Sequence, residues 1–157
     1  MVADPAMDGL PLLFIRRSLT VSTHRGQIAF PGGSADDDDG GPVGTALREA
    51  HEELGVDPRL VEVIGVLPPV STRTSGRRVD PVVGLLREPV VPQPDGYEVG
   101  EHFSLRLDEL LEAPVTSRAI PGLEGEPVHF IEIGERIVWG ATAAMLVQLM
   151  RRMGRDL

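Results

Sequence analysis

Pro42-Val43-Gly44-Thr45-Ala46-Leu47-Arg48-Glu49-Ala50-His51-Glu52-Glu53-Leu54-Gly55 is the stretch on which the fold turns, because two periodic patterns run through it at once. At about 100° per residue, Val43, Ala46, Leu47, Ala50 and Leu54 gather in an apolar arc roughly 100° wide, the pattern of a helix packed on one side. Pro42 suits the first helical position, Gly55 suits the left-handed residue after the last, and Pro58 bars continuation. A second arc beside the first carries Glu49, Glu52 and Glu53. Spaced i, i+3 and i, i+4, these carboxylates repel one another, a cost with no structural return on a surface helix. A bound cation turns that cost into a site. Hard ions such as Mg²⁺ or Mn²⁺ take oxygen ligands from a few carboxylates and keep waters for substrate phosphates to replace. Arg48, one turn ahead of Glu52, is placed to pair with it and orient it. The competing account is a solvated acidic face of an ordinary amphipathic helix.

The flanking sequence favours the site. Gly32-Gly33 lies one short loop upstream and lets the backbone approach a metal or phosphate closely. Asp36 to Asp39 adds carboxylates beside the helix start, where the helix dipole also favours them. Further out, Leu12 to Ile15, Gln27 to Phe30, Val61 to Leu67, Val79 to Leu86 and Glu98 to Leu105 read as strands between turn signals. Asp108 to Leu111 reads as a short helix, and Val128 to Ile133 with Arg136 to Val138 as a hairpin. A closing helix carries an apolar stripe of Trp139, Thr142, Ala143, Leu146, Leu149, Met150 and Met153. Strands around two helices in a chain of this size predict an α/β fold, a mixed sheet packed between helices.

At 157 residues the length is that of one domain, 1-157. Hydrophobic residues at 41% and charged residues at 25% match a soluble globular chain. The apolar stretch from Trp139 to Met150 falls short of the roughly 18 residues a membrane span needs. Met1-Val2-Ala3-Asp4-Pro5 has neither the basic nor the apolar region of a secretory signal. With no cysteine, disulfides, thiolate metal sites and a cysteine nucleophile are excluded together, and a cytoplasmic location is expected. A net charge of −9 disfavours nucleic acid and anionic membranes as partners. A phosphate-bearing substrate must therefore meet local compensation, from metal ions or from small basic clusters such as Arg16-Arg17 and Arg73 with Arg77-Arg78.

The run Gly33-Ser-Ala-Asp-Asp-Asp-Asp39-Gly-Gly-Pro-Val-Gly-Thr-Ala-Leu-Arg48-Glu49-Ala-His-Glu52-Glu53-Leu-Gly55-Val56 resembles the Nudix box: a glycine and an acid, then Arg-Glu-apolar-any-Glu-Glu-any-Gly-apolar. It departs from the box by one extra residue between Gly33 and Arg48, and by Asp39 in place of a glutamate. The resemblance implies a Nudix-type α/β/α sandwich and metal-dependent hydrolysis of a diphosphate bond by water, with no covalent enzyme intermediate. It makes Glu49 and Glu53 the principal metal ligands, Glu52 a further ligand or base and Arg48 its orienting partner, with Gly33 and Asp39 assisting the metal.

Upstream, Leu12-Leu13-Phe14-Ile15-Arg16-Arg17-Ser18 and His24-Arg25-Gly26-Gln27-Ile28-Ala29-Phe30-Pro31-Gly32-Gly33 are similar to the coenzyme A diphosphatase branch of that family. So are Thr74-Ser75-Gly76-Arg77-Arg78-Val79-Asp80-Pro81-Val82-Val83-Gly84 and the helix start Trp139-Gly140-Ala141-Thr142-Ala143. Ser22 stands where the branch has an arginine. This resemblance implies coenzyme A or an acyl derivative as substrate, split to 3′,5′-ADP and 4′-phosphopantetheine, with Arg16, His24, Arg25, Arg73, Arg77 and Arg78 as substrate contacts. Trp139 is expected in the core. ADP-ribose, dinucleotide polyphosphates and oxidised nucleoside triphosphates remain alternative substrates, and a Nudix-fold binding module without catalysis is an answer of another class. The family also places an apolar strand before Asp8-Gly9, where only Met1 to Met7 stand. An uncovered sheet edge is expected there, and with it self-association as a homodimer.

Overall fold

The computed structural model describes residues 1–22, 24–72, 75–121 and 127–157. Its organising strand is β2 (Leu12–Arg17), an apolar run whose first four residues are all buried. Alternation explains why both sides are apolar. Leu12 and Phe14 point into one cluster, with Leu146, Met150, Ile131 and Val138, while Leu13 and Ile15 point into another, with Ala50, Leu54, Val56 and Leu86. Helix α1 (Pro42–Leu54) covers the second face and α3 (Gly140–Arg152) the first, so the α/β layering predicted from sequence is present.

The main sheet is mixed. β2 takes β8 (Val99–Leu105) along one edge, from Leu12 opposite Leu105 to Arg17 opposite Val99, with a bulge between Arg16 and Arg17. Its other edge is shared by β1 (Val2–Ala3) and β3 (Ile28–Ala29). β1 also pairs in parallel with β7 (Val82–Leu86), which pairs antiparallel with β4 (Val61–Val66). Val2–Ala3 thus fills a position inside the sheet, between β2 and β7, where the sequence was read as lacking a strand. Two residues suffice because each backbone edge finds a partner, and both side chains are buried.

The predicted strand Val79 to Leu86 is broken in two. Pro81 has no N–H to give a ladder, so β6 (Arg78–Val79) pairs with β5 (Val70–Ser71) in a separate small hairpin, and β7 starts after the proline. Helix α2 (Leu107–Glu112) matches the short helix expected at 108–111. The expected hairpin forms as β10 (Val128–Ile133) and β11 (Arg136–Trp139). It gains a third strand, β9 (Val115–Arg118), whose mostly exposed residues carry no clear alternation. Among the described residues no helix is long and apolar enough to cross a membrane.

α1 begins and ends where local chemistry dictates. Pro42 is its first residue, and Gly55 follows it with φ 68°, returning its N–H to the carbonyls of Ala50 and His51. Ala50 and Leu54 are fully buried, whereas Val43, Ala46 and Leu47 are only half-buried, because the N-terminal half lies over a shallow groove floored by Pro31, Val61 and Gly84. α3 is fixed differently. The Thr142 hydroxyl donates to the Ile28 carbonyl at 3.1 Å, and Arg155 donates to the Ala113 carbonyl at 2.8 Å. Two members of its expected stripe lie outside the core: Met153 is 50% and Trp139 41% exposed. Trp139 ends β11 in extended conformation ahead of the first helical turn, so helical periodicity does not govern where it points.

Gly44 shows how the helix start is docked. A Cβ on it would collide with the Asp39 carbonyl of the short 3₁₀ turn Asp37–Asp39, a backbone atom that cannot swing aside. Gly→Ala inside an open helix adds roughly 0.5–1 kcal/mol of stability. Here the sign reverses, and Gly44→Ala is expected to destabilise the fold by about 1–3 kcal/mol, as overpacking does. Thermal unfolding by calorimetry checks this, and a melting temperature equal to or above the parent's shows that the turn yields.

Candidate functional site

The guanidinium of Arg48 ties the loop after Gly33 to the helix. Its Nε donates to Asp39 Oδ1 at 2.7 Å, and Nη2 donates to Asp39 Oδ2 at 3.1 Å and to the Ser34 carbonyl at 2.9 Å. Nη1 donates to Glu49 Oε1 at 3.2 Å and to Glu52 Oε2 at 2.9 Å. A planar fork of five donors suits this arrangement, which a lysine cannot reproduce.

Asp39, which the resemblance makes an assistant to the metal, is the anchor of this fork. Besides Arg48, its Oδ2 accepts from the Thr45 hydroxyl at 2.7 Å and from the Asp36 amide at 2.8 Å, so its oxygens are already engaged. The Arg48 fork, with those two bonds, holds the Asp39 carboxyl well below the usual carboxylate range. Asp39 anchors the loop to Arg48 and α1. Thr45, buried and polar, belongs to the same anchor and had no signal in the periodicity.

Glu49 and Glu53 face the glycines. The Gly32 N–H donates to Glu53 Oε2 at 3.1 Å, while Glu53 Oε1 is buried without a hydrogen-bond partner. A Cβ on Gly33 would run into the Glu49 carboxylate, so glycine is what lets that carboxylate lie against the backbone. Glu53 is 4% exposed, and burial pushes its carboxyl up to about 7, with the Gly32 amide opposing. Burial raises Glu49 as well, with Arg48 partly offsetting it. Glu52 is the open member, its side chain 57% exposed.

Among the described residues no three His, Asp or Glu side chains converge as a ready-made ion cage. The residues nevertheless fit a hard divalent cation. They offer hard oxygen donors, an orphaned buried oxygen on Glu53, and a glycine backbone that the Glu49 carboxylate approaches closely. Two further groups, contributed by β2 and by the residue before β8, act on this nest. Glu98 adds negative charge towards both Glu49 and Glu53, and Arg17 opposes it at Glu53 while pairing with Glu98 at 3.4 Å. The pairing of Arg17 with Glu98, 81 residues away, is invisible to any local pattern.

The expected substrate contacts divide. Arg16 and Arg25 line a groove of about 430 Å³ together with Arg136 and Trp139. His24, exposed and with φ 56°, lies in the same turn, its Nδ1 2.9 Å from Gln27 Oε1. Arg77 and Arg78 sit apart on the β5–β6 hairpin, where Arg78 is occupied by Asp80 at 2.8 Å. Arg73 lies outside the described residues.

Comparison with known proteins agrees with this geometry. The family described as NUDIX domain matches residues 2–124. The chain is 42% identical over 143 residues to the uncharacterized Nudix hydrolase NudL of Pectobacterium atrosepticum, covering 88% of this chain and 72% of that protein. Among solved structures, a Nudix hydrolase from M. smegmatis, RenU, superposes with a TM-score of 0.65 at 19% identity, covering 98% of this chain and 81% of that one. The NUDIX domain of Shewanella oneidensis NrtR, solved with ADP ribose, gives 0.53 at 21% identity, over 72% of this chain and 73% of that one. At these identities the structural matches establish the fold.

The elevation of Glu53 has a thermodynamic sign. Between the ordinary 4.5 and about 7 the folded chain keeps a proton that the unfolded chain has released, so stability declines as pH rises through that window. Glu53→Gln cannot ionise and escapes this decline. In chelator, the variant is expected to gain on the parent in melting temperature from pH 5 to pH 8. A constant difference across that range places the Glu53 pKa at its ordinary value.

Proposed function

This chain belongs to the Nudix family, and on that premise we propose that it hydrolyses coenzyme A or a short acyl derivative to 3′,5′-ADP and 4′-phosphopantetheine or its acyl form. Cleavage of a diphosphate bond in a small molecule is the family's general reaction. The observation that carries it to this chain is the pair of half-buried Glu49 and buried Glu53 against Gly32-Gly33, with one Glu53 oxygen unpartnered. Mg²⁺ or Mn²⁺ bound there offsets the charge of the diphosphate and lowers the pKa of water.

The chain's own residues do the rest. Glu49 and Glu53 would hold the ion, and Arg48 fixes Glu49 and Glu52 in place. Glu52, open to solvent, accepts the proton of the attacking water. The water oxygen bonds to one phosphorus, the bridging P–O bond breaks, and each product leaves with a terminal phosphate. No group of the protein becomes covalently attached.

Coenzyme A is favoured by the similarity of residues 12–33 and 74–84 to its diphosphatases, and by cations lying outside the carboxylate nest. Its 3′-phosphate needs such a cation, and in a chain of net charge −9 the need is local. Arg16, Arg25, Arg77 and Arg78 are the candidates, with Arg16 paired to Glu101 and Arg78 to Asp80. His24, in the turn with Arg25, contributes a ring nitrogen. This reading places the enzyme in the cytoplasm, with small molecules as its partners. ADP-ribose is the second reading, favoured by the bound ligand of the NrtR domain.

A panel of coenzyme A, acyl derivatives, ADP-ribose and nucleoside triphosphates, assayed with Mg²⁺ and Mn²⁺, separates the two. Coenzyme A derivatives are expected to have the highest kcat/KM, and 3′-dephospho-coenzyme A to be poorer by about tenfold or more, as for one lost charge-assisted contact. A higher kcat/KM for ADP-ribose or a triphosphate than for every coenzyme A derivative overturns the substrate and leaves the diphosphatase reading intact.

A further inference from the structure

The groove that Arg16 and Arg25 share with Arg136 and Trp139 uses two residues to which the sequence assigned no contact. At about 430 Å³ it falls in the range of small-molecule sites, roughly 300–1,000 Å³. β2 supplies Arg16, the turn before β3 supplies Arg25 to Ile28, and the β10–β11 hairpin supplies Arg136 and Trp139.

Its walls are held by ring contacts. Trp139 stacks on Phe130 with centroids 6.2 Å apart and planes 11° from parallel, and Arg118 lies 5.4 Å over that Phe130 ring. The Arg136 guanidinium lies 4.4 Å over the Phe103 ring. Trp139 is nevertheless 41% exposed, a large aromatic surface left open in a groove.

The cations there are under-compensated. Glu101 serves two of them, 3.0 Å from Arg16 Nε and 3.4 Å from Arg136 Nη2, while the buried Nε of Arg136 has no hydrogen-bond partner. Arg25 Nε donates to the Val21 carbonyl, a neutral partner. Three guanidiniums line the groove with a single acid, Glu135, and Glu101 pairs with two of the three. A positive patch therefore survives in a chain of net charge −9. A flat aromatic face beside guanidiniums that outnumber their acids suits a ligand that is planar at one point and anionic at the next.

The groove and the carboxylate nest share β2 and the segment that runs from β3 to Gly32. Arg16 lines the one and its neighbour Arg17 acts on the other, across the bulge in β2. Ile28 lines the groove, and four residues on Gly32 donates to Glu53, a separation of at most about 14 Å along the chain.

We propose that this groove receives the nucleotide half of the substrate, the base stacked on Trp139 and the phosphate monoester held by Arg16, Arg25 and Arg136. The assignment rests on the coenzyme A reading only for what joins that nucleotide to the diphosphate. A pantetheine arm is the poorer occupant, since it leaves the guanidiniums without an anion.

Trp139 is the sole tryptophan, so its fluorescence reports on the groove directly. The full chain, in chelator, is titrated with 3′,5′-ADP, with 4′-phosphopantetheine and with inorganic phosphate. Saturable quenching by 3′,5′-ADP is expected, at least tenfold tighter than any response to the other two. Arg136→Gln and Arg25→Gln should each weaken it about tenfold, and circular dichroism confirms that both variants fold. Trp139→Ala, followed by calorimetry, should lose binding that Trp139→Phe largely keeps.

Absence of quenching by 3′,5′-ADP, or an equal midpoint for 4′-phosphopantetheine or phosphate, overturns the proposal. So does unchanged affinity in both arginine variants. If the quench is present but coenzyme A is not hydrolysed, the substrate reading falls and the groove stands as a nucleotide site. Hydrolysis without the quench removes the groove alone.

Discussion

The Arg48 fork is the interaction on which the site depends. One side chain satisfies a loop carbonyl, a loop aspartate and two glutamates of its own helix, and so converts a line of mutually repelling carboxylates into a fixed array. Without it the buried end of Asp39 has no counter-charge, and the loop from Gly33 to Gly41 has no reason to lie against α1. Geometry and charge are supplied together, because a guanidinium delivers directed donors along with its positive charge. Glu53 is the exception. It lies beyond the fork and is held by a backbone amide alone, which is why burial acts most strongly on its carboxyl.

β2 distributes the consequences. Its apolar alternation lets α1 pack on one face and α3 on the other, and at its far end Arg16 and Arg17 divide between the groove and the carboxylate nest. The strand is thus both the centre of the core and the support on which the two polar regions meet. In a chain this acidic, spreading arginines over the surface would cancel charge without binding anything. Here several are set beside aromatic rings or single carboxylates, where they retain capacity for an anion.

What was legible in the sequence was what local chemistry decides. The bounds of α1 follow from Pro42 and Gly55, whose backbone requirements involve no distant partner, and the four apolar residues that open β2 announced a strand. Contacts between distant segments were not legible. Asp39 looked like one more carboxylate of an acidic patch until Thr45, Asp36 and Arg48 closed around it. Trp139 read as the first turn of an apolar helix stripe, yet it belongs to the strand before that helix. Val2–Ala3 is too short for any pattern, and its strand exists only because Leu12 and Gly84 flank it in space.

The pairing of β2 with β8 also has a timetable. Leu12 meets Leu105 across more than 90 residues of chain, so the edge of β2 that receives β8 has no partner until residues 99–105 have been made. At synthesis rates of about 5–20 residues per second, that interval lasts roughly 5–20 s. Throughout it, Leu12-Leu13-Phe14-Ile15 is an apolar segment with unpaired backbone, the kind of edge that recruits other chains. Arg16-Arg17 directly after it acts as a charged guard on the nascent strand. The residues that later stand between groove and nest are the same ones that keep the strand soluble while it waits.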